Sequence, residues 1–427
     1  MGGLGAVGLL FLSLPGALRA EEPARLSLAA LLEEVKAQNP GLRAAAERAA
    51  AMAAMPAQAR AWDDPTLSYE AWNTPNSFRL DRADNNIFRL SQKIPFPGKR
   101  TLAGDVATHE AVQSAHEAEN AKLEVVAAVK RAFSDLWLAY ERLDVLTREK
   151  ALVERLTHVV EERYGTSEAT QADVLRAQVE LTHLANRLQT ERLMISQART
   201  ELAALLSRDA RSLSGRPEPL PVPVLALNTE DVVQRALEER PDVQAQEEAI
   251  AREQTALRLA ERNRFPDFEV SVGRFVNTDA RDGFGAMVSM TLPIFNGAKY
   301  DAGIGEAGAR LRAAEAERQR IKDRVRREVE QAYLRAKTAI LQYDLFTKTH
   351  IPQAEQARRV TESGYQSAQV PFLDLIDTLR SIQSVHLDHV MAHAEFEKAY
   401  ADLEQAAGAE LPRSARTGAS PTGVSHD

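Results

Sequence analysis

One short stretch decides how this chain is organised: Ile94-Pro95-Phe96-Pro97-Gly98-Lys99-Arg100. Upstream of it the residues alternate between apolar and polar, as in a strand, and downstream about sixty residues follow a helical period without a proline. Proline cannot sit inside a paired strand or a helix interior, and glycine permits a sharp turn between the two. The stretch therefore predicts a corner at which a strand ends and a long helix begins at Thr101.

A second corner of the same kind follows about two hundred residues later, at 292–299, where the chain reads Leu-Pro-Ile-Phe-Asn-Gly-Ala-Lys. Four further pairs of landmarks are separated by 201 residues: Pro40 and Pro241, Pro65 and Pro266, Tyr164 and Tyr365, and Asp173 and Asp374. A constant spacing of this kind indicates an internal duplication, so we predict two tandem repeats, at 21–227 and 228–408. The residues that define the two corners are Pro95, Pro97, Gly98, Lys99, Pro293 and Gly297.

The composition favours long helices over a compact enzyme core. The chain has 427 residues, of which 27% are charged and 6% aromatic, and its net charge is -8. A negative chain is a poor partner for nucleic acid, and the lack of cysteine excludes disulfides, thiolate metal sites and a lipid-anchored cysteine. Residues 1–20 have an apolar centre that ends in a small residue, which predicts a signal peptide and export. Residues 409–427 lack an apolar period and predict a disordered tail.

Each repeat is predicted to contain one hairpin followed by two long antiparallel helices. The strands alternate with a period of two and are expected at 66–72, 86–94, 268–276 and 285–292. Apolar residues that recur at three and four predict coiled-coil helices at 101–164, 170–206, 300–364 and 371–404. Two shorter helices precede each hairpin, broken at Pro40 in the first repeat and at Pro241 in the second.

The hairpin strands have the length of tilted membrane strands, although half-buried strands of a soluble protein have the same period. After residue 20 no stretch is apolar and long enough for a membrane helix, so spanning a membrane would require strands. Four strands cannot close a barrel and open edges are not tolerated in lipid, so three copies with twelve strands are the expected assembly. The expected lumen-facing residues are Glu70, Arg89, Glu269 and Arg274. The expected lipid-facing residues are Leu67, Tyr69, Val270, Val272, Val288 and Met290.

With these features, residues 28–403 resemble the TolC family of outer-membrane efflux proteins. The resemblance is carried by the two corners and by two helix tips, at 163–178 and 364–377. It implies a homotrimer with one 12-stranded barrel in the outer membrane and most of its mass in a periplasmic helical tunnel. It also implies docking of the tips onto a periplasmic adaptor protein, fed by an inner-membrane pump of the RND type. The Pro-Phe-Pro-Gly-Lys form of the first corner is similar to the heavy-metal efflux branch, and Lys99 and Arg100 are expected at the membrane's inner surface.

By the same resemblance the helix tips form the gate of the duct. The gate candidates are Tyr164, Asp173, Tyr365, Asp374 and Asp377. Asp374 and Asp377 lie three apart on one helical face, so a trimer would bring six carboxylates together and attract cations. A hydrogen bond from Tyr365 to Asp173 would tie the two repeats together. The alternative is that these are ordinary solvated aspartates near a helix start.

The tips depart from the family pattern in two respects. Ser167 and Ala368 stand where a glycine is expected three residues after each tyrosine, which puts the turn geometry in question. A basic residue that some members carry before the gate aspartates is replaced around Val370 and Pro371, so one latch is expected to be missing.

Two other motifs suggest chemistry only weakly. The segment 303–308 matches a dinucleotide fingerprint but lacks a parallel βαβ context, so no cofactor is expected. His386, His389 and His393 have metal-ligand spacing on one helical face, but packed or solvent-facing histidines are the favoured interpretation and a metal site is a weak candidate. Without a nucleophile and base or a phosphate loop, we expect no enzyme. The function predicted is an exit duct for metal ions or small toxic compounds, with a type I secretion duct and a soluble periplasmic coiled-coil scaffold as alternatives.

Overall fold

The computed structural model describes residues 25–74, 80, 83–277 and 281–413, so the predicted signal peptide lies outside the described residues. The first repeat contains α1 (Leu28–Gln38), α2 (Pro40–Arg60), β1 (Thr66–Trp72), β2 (Asn85–Ile94), α3 (Lys99–Gly165) and α4 (Gln171–Leu205). The second contains α5 (Thr229–Glu239), α6 (Pro241–Arg262), β3 (Phe268–Asn277), β4 (Gly283–Met290), α7 (Gly297–Leu345), α8 (Ile351–Gln366) and α9 (Phe372–Ala407).

The predicted break between the short helices is present in both repeats. Pro40 and Pro241 each take the first position of the following helix, where a missing amide hydrogen has no cost. In the first repeat the side chain of Asn39 caps that helix by accepting a hydrogen bond from the Leu42 amide at 3.1 Å. In each repeat the residues around this proline therefore end one helix and start the next.

The long helices run in antiparallel pairs. With 67 residues, α3 is about 100 Å long at about 1.5 Å per residue. The helix predicted at 300–364 is helical without a gap up to Gln366, but it contains a π-helical turn at Phe346–His350, between α7 and α8. Pro352 supplies the physical reason, since it cannot donate to the carbonyl four residues earlier and its ring crowds that carbonyl. Within the described ranges no helix is both long enough and apolar enough to cross a membrane.

The four strands form one antiparallel sheet in the order β1-β2-β3-β4. The two repeats meet at its centre, where β2 pairs with β3 and Arg89 lies opposite Gly273. The outer strands β1 and β4 each pair with only one strand among the described residues. The sheet is therefore open at both edges.

The register places most of the exposed apolar side chains of the sheet on one face, while Trp72, Ile87, Phe275 and Met287 lie on the other. Leu67 lies opposite Leu90, which lies opposite Val272, and all three are exposed. All six residues predicted to face lipid share this face. Glu70, Arg89 and Glu269 lie on the other face, where Glu70 and Arg89 form an ion pair at 2.9 Å.

The assignment of Arg274 to the polar face is wrong. It is an even number of residues from Val270 and Val272 and therefore shares their face. There its guanidinium lies 3.4 Å from Asp282 and 5.9 Å from the ring centroid of Phe284, at the end of the hairpin.

The helices pack side by side in the order α4, α3, α9 and then α7 with α8. Their core consists of three apolar clusters along the length of the bundle, one of which lies directly beneath the tips and contains Val160, Leu184, Leu375 and Leu379. The described bundle therefore has two lateral edges, formed by α4 on one side and by α7 and α8 on the other.

The first residues of the predicted disordered tail are ordered against the bundle. Leu411 is buried, its carbonyl accepts a hydrogen bond from the Tyr400 hydroxyl at 3.2 Å, and Arg413 pairs with Glu397 at 2.9 Å. These contacts correct the prediction for residues 409–413. Residues 414–427 lie outside the described residues.

Candidate functional site at the helical tips

The first tip is the turn between α3 and α4. Ser167 has a φ of 62°, in the left-handed region, and the Glu168 amide donates to the Arg163 carbonyl at 2.8 Å. The next helix then begins with a capping box. The Thr170 hydroxyl accepts a hydrogen bond from the Asp173 amide at 3.3 Å, and the Asp173 carboxylate accepts one from the Thr170 amide at 3.2 Å.

The second tip, between α8 and α9, repeats this turn without the cap. Ala368 has a φ of 58°, and the Gln369 amide donates to the Gly364 carbonyl at 2.8 Å. Pro371 precedes α9 and offers no side-chain hydrogen bond. Both tips therefore keep the left-handed turn that the missing glycines put in question, at a cost of about 1–2 kcal/mol for each non-glycine residue in that region.

Gly364 allows the second turn to close tightly. A Cβ atom there would lie 2.5 Å from the Cγ2 of Val370, which is far inside van der Waals contact. The corresponding residue of the first repeat is Arg163, so the two tips differ at a position where one needs a glycine and the other carries a long cation.

Arg163 joins the two tips. Its guanidinium donates to the Tyr365 carbonyl at 2.8 Å and to the Gln366 carbonyl at 2.6 Å, and its carbon lies 4.9 Å from the centroid of the Tyr365 ring. A cation at this point satisfies the last carbonyls of α8 and interacts favourably with the helix dipole. The only signal in the sequence is that an arginine stands in one repeat where the other has glycine.

Tyr365 is packed rather than exposed. It is 6% exposed, its ring lies 5.6 Å from that of Phe372, and its hydroxyl has no hydrogen-bond partner among the described residues. The predicted hydrogen bond to Asp173 is not formed, because that carboxylate is turned into its own capping box and towards Arg176. Burial raises the pKa of the Tyr365 hydroxyl, which therefore stays neutral at physiological pH.

The other gate candidates are open to solvent. Asp374 and Asp377 lie on the exposed side of the first turns of α9, and Tyr164 is 49% exposed. Asp377 is 3.5 Å from Arg380, whereas Asp374 has no ion-pair partner among the described residues. The tips therefore contain two kinds of predicted residue: Tyr365 and Asp173 are held within the chain, and the remaining three are presented outward.

A charge pair between a buried carboxylate and a half-exposed arginine joins α4 to α9 behind the tips. The Nε and Nη2 atoms of Arg380 donate to one carboxylate oxygen of Glu180 at 2.9 and 2.6 Å, and Glu180 is 7% exposed. A pair of this kind is costly to break, because a lone buried carboxylate would remain. The two residues lie 200 positions apart, so the sequence alone gives no sign of the contact.

At the opposite end of the helices, the first corner is closed by the second repeat. The Phe96 ring stacks on Phe265 at 4.6 Å, and the Phe96 amide donates to the Asp267 carboxylate at 2.8 Å. Gly98 has a φ of 93° and precedes α3. The Lys99 ammonium donates to Asp267 at 2.8 Å and to the Phe265 carbonyl at 2.9 Å. Pro95 and Pro97 lie between β2 and α3, as predicted.

These contacts show what the Lys99 side chain binds within the chain. It is 11% exposed and holds the connection between α6 and β3, and its predicted position at the membrane's inner surface stays a prediction. Arg100 donates to the Arg60 carbonyl and lies 3.9 Å from the centroid of the Trp62 ring. In the second corner Pro293 opens a single 3-10 turn and Gly297 begins α7.

The three histidines of α9 have separate partners. His386 lies between the carboxylates of Glu149 and Glu355, at 3.9 and 3.7 Å. His389 is 3.0 Å from the Thr347 hydroxyl, and His393 is 2.8 Å from the carbonyl of Pro221. Burial lowers the pKa of all three rings. The part of the chain that the structure describes contains no group of three ligands able to hold a metal, so the weak metal candidate is not supported.

Known proteins share the sequence pattern and the fold of this chain. The model of a family described as "Outer membrane efflux protein" matches residues 31–208 and 232–409, one segment in each repeat. The cobalt-zinc-cadmium resistance protein CzcC of Cupriavidus metallidurans is 24% identical over 364 residues, which cover 84% of each chain. A match of 364 residues is longer than either repeat and therefore extends over both.

Solved structures share the fold at low sequence identity. The outer membrane protein VceC from Vibrio cholerae has a TM-score of 0.76 at 18% identity, over 90% of this chain and 96% of VceC. The Campylobacter jejuni CmeC outer membrane channel has a TM-score of 0.75 at 16% identity, over 96% of this chain and 95% of CmeC. These likenesses confirm the predicted fold of two repeats, each with a hairpin and long helices. Because the family model covers most of both repeats, the chain belongs to the outer membrane efflux protein family.

Proposed function

We propose that this chain is the exit duct of a tripartite efflux assembly, which passes its substrate from a periplasmic adaptor and an inner-membrane pump to the cell exterior. The observation that carries the proposal is the sheet. One of its faces is an exposed apolar band in which Leu67 is 73% exposed, Val272 55% and Val288 71%. Exposed apolar area of this extent marks a contact with lipid or protein.

The open sheet edges support a closed ring of three copies. Unpaired strand edges are not tolerated in lipid, and three sheets of four strands would give a barrel wide enough for an aqueous lumen. The bundle edges are exposed and apolar as well, with Leu193 on α4 at 70%, Leu341 on α7 at 62% and Val360 on α8 at 65%. In a ring, the α4 edge of one copy would meet the α7 and α8 edge of the next.

The helices lead away from the sheet to the tips about 100 Å distant. With the sheet in the outer membrane, most of the mass lies in the periplasm, and the tips are the part that would reach an adaptor protein and a pump of the RND type. CzcC is named for cobalt-zinc-cadmium resistance, and we take divalent metal ions as the substrate class. The solvent-facing carboxylates of Asp374 and Asp377 would favour cations at the entrance.

Expression of the full chain in a Gram-negative host, followed by fractionation and native mass measurement, tests the duct. We expect the chain in the outer-membrane fraction, extracted by detergent as a particle of three copies. A monomer that is fully soluble without detergent would overturn the proposal and favour a periplasmic scaffold. Cells that lose the chain should retain more Co²⁺, Zn²⁺ and Cd²⁺. Unchanged retention of all three ions would overturn the metal assignment.

A further inference from the structure

The two corners have similar sequences but very different surroundings. In the first, Phe96 and Lys99 are covered by the connection between α6 and β3. In the second, Phe295 is 88% and Ile294 68% exposed, and the Lys299 ammonium has no carboxylate partner among the described residues. A phenylalanine left almost fully exposed beside an unpaired cation indicates that a covering surface is missing.

The backbones of the two corners share one turn hydrogen bond just before the long helix. The Lys99 amide donates to the carbonyl of Phe96 at 3.1 Å, and the Lys299 amide donates to that of Asn296 at 3.0 Å. In both corners a helix begins within two residues of the lysine. The corners differ in the preceding turn, where the first has Gly98 in the left-handed region and the second has a 3-10 turn at Pro293–Phe295, and in what covers them.

The duplication identifies the missing cover. The connection that covers the first corner is 263–267, and 201 residues earlier stands its counterpart, 62–66, between α2 and β1. Trp62 is 55% exposed there, and the carboxylates of Asp63 and Asp64 have no ion-pair partner among the described residues. This counterpart carries two negative charges where the second corner carries the positive charge of Lys299.

The chain cannot bring these two segments together by itself. The 62–66 connection leads into β1 and the second corner follows β4, and these are the two outer strands of the sheet. Pairing β4 of one copy with β1 of the next would place the corner of one copy beside the connection of the other. Every copy therefore contains the covering segment, but it lies at the opposite edge of the sheet from the second corner of the same copy.

We propose that the second corner is completed by residues 62–66 of the neighbouring copy, with Lys299 paired to Asp64 of that copy and Phe295 packed on the same connection. The carboxylate partner of Lys99, Asp267, corresponds to Thr66, so the nearest carboxylate on the connection is that of Asp64, which corresponds to Phe265, whose carbonyl also accepts from Lys99. The proposal rests on the trimer of the proposed function and adds the contact by which one copy recognises the next. In a ring of three, each copy would then contribute one internal corner and one shared corner.

Cysteine pairs test this contact, since the chain has no cysteine of its own. In the Lys299→Cys/Asp64→Cys variant, oxidation in native membranes should give covalent dimers and trimers. The matched control is Lys99→Cys/Asp267→Cys, which should cross-link only within one chain and leave a monomer. Each single-cysteine variant should give no product.

Charge reversal provides a second readout. Lys299→Glu should lower the temperature at which the trimer dissociates, and adding Asp64→Lys should restore it. If the particle has three copies but the cysteine pair does not cross-link, or if the two reversals add instead of compensating, the shared corner is wrong while the trimer stands. A monomeric particle would instead contradict the trimer of the proposed function.

Discussion

The two helical tips are copies of one segment, yet different side-chain contacts stabilise them. The first caps its own second helix with Thr170 and Asp173 and sends Arg163 across to the other tip. The second has no side-chain cap, receives that arginine on its carbonyls, and leaves Asp374 and Asp377 in solvent. The difference teaches that equivalent aspartates of a duplicated motif need not have equivalent roles. Asp173 is used in a helix cap, whereas its counterpart Asp374 is exposed and has no ion-pair partner among the described residues.

The largest effect is expected from breaking the connection between the tips with Arg163→Ala. Hydrogen bonds to charged groups contribute about 1.5–3 kcal/mol each, so losing two partly exposed ones should cost about 2 kcal/mol of local stability. Amide hydrogen exchange at 366–370 should become about 30-fold faster, as measured by mass spectrometry. Arg155→Ala, an exposed arginine of the same helix, should leave exchange unchanged. If both variants behave alike, Arg163 does not hold the second tip.

A smaller effect should separate the aspartates of the two tips. In single-channel recordings, Asp374→Asn combined with Asp377→Asn should reduce the preference for cations severalfold, because solvent-facing charge near the entrance is removed. Asp173→Asn should leave selectivity unchanged and should instead weaken the capping box. Equal loss of selectivity in the two variants would contradict the difference between the tips.

The cap of the first tip can be tested by Thr170→Ala. Removing the N-cap hydroxyl should lower the free energy of unfolding by about 1 kcal/mol, with faster exchange confined to the first turn of α4. Thr182→Ala, at an exposed position within the same helix, should cause no such loss. If Thr170→Ala and Thr182→Ala change the free energy of unfolding equally, the Thr170 hydroxyl does not stabilise the helix as a cap.

The smallest effects are expected from restoring glycine in the tips. Ser167→Gly and Ala368→Gly should each stabilise the chain by about 0.5–1 kcal/mol, because relief of left-handed strain exceeds the entropy that glycine loses on folding. Ala185→Gly, in the exposed interior of α4, should destabilise it by about 0.5–1 kcal/mol. Chemical denaturation of the three variants measures whether each substitution raises or lowers the free energy of unfolding. A loss of stability at either tip would contradict the left-handed strain.

Much of the fold follows from local sequence signals. The strand at 66–72 is where alternation predicts it, and both short helices end two residues before Pro40 or Pro241. Which face of the sheet a residue occupies follows from the period of two. Arg274 departs from the prediction because its position in the strand, and not its charge, decides its face. The π-helical turn before Pro352 shows how a single proline can override a helical pattern that is otherwise continuous.

The candidate site is less predictable because its contacts join distant positions. Arg163 reaches a carbonyl 202 residues away, and Arg380 reaches Glu180 over 200. Neither contact leaves a periodic trace, and the side chain of Asp173 could equally serve a cap or a partner tyrosine until the backbone of the turn is known. Local pattern therefore predicts where the tips are, and only the packing of the helices shows which of their side chains are held and which are free.

The central claim is that the apolar face of the sheet lies in lipid and its polar face lines water. Neighbouring positions of β4 test it most directly, because Val288 and Ser289 are both exposed, point to opposite faces, and the chain has no cysteine of its own. A fluorophore on Val288→Cys should be quenched by brominated lipid and protected from aqueous iodide, whereas one on Ser289→Cys should show the reverse. Iodide quenching of both labels, without quenching by brominated lipid, would contradict the claim.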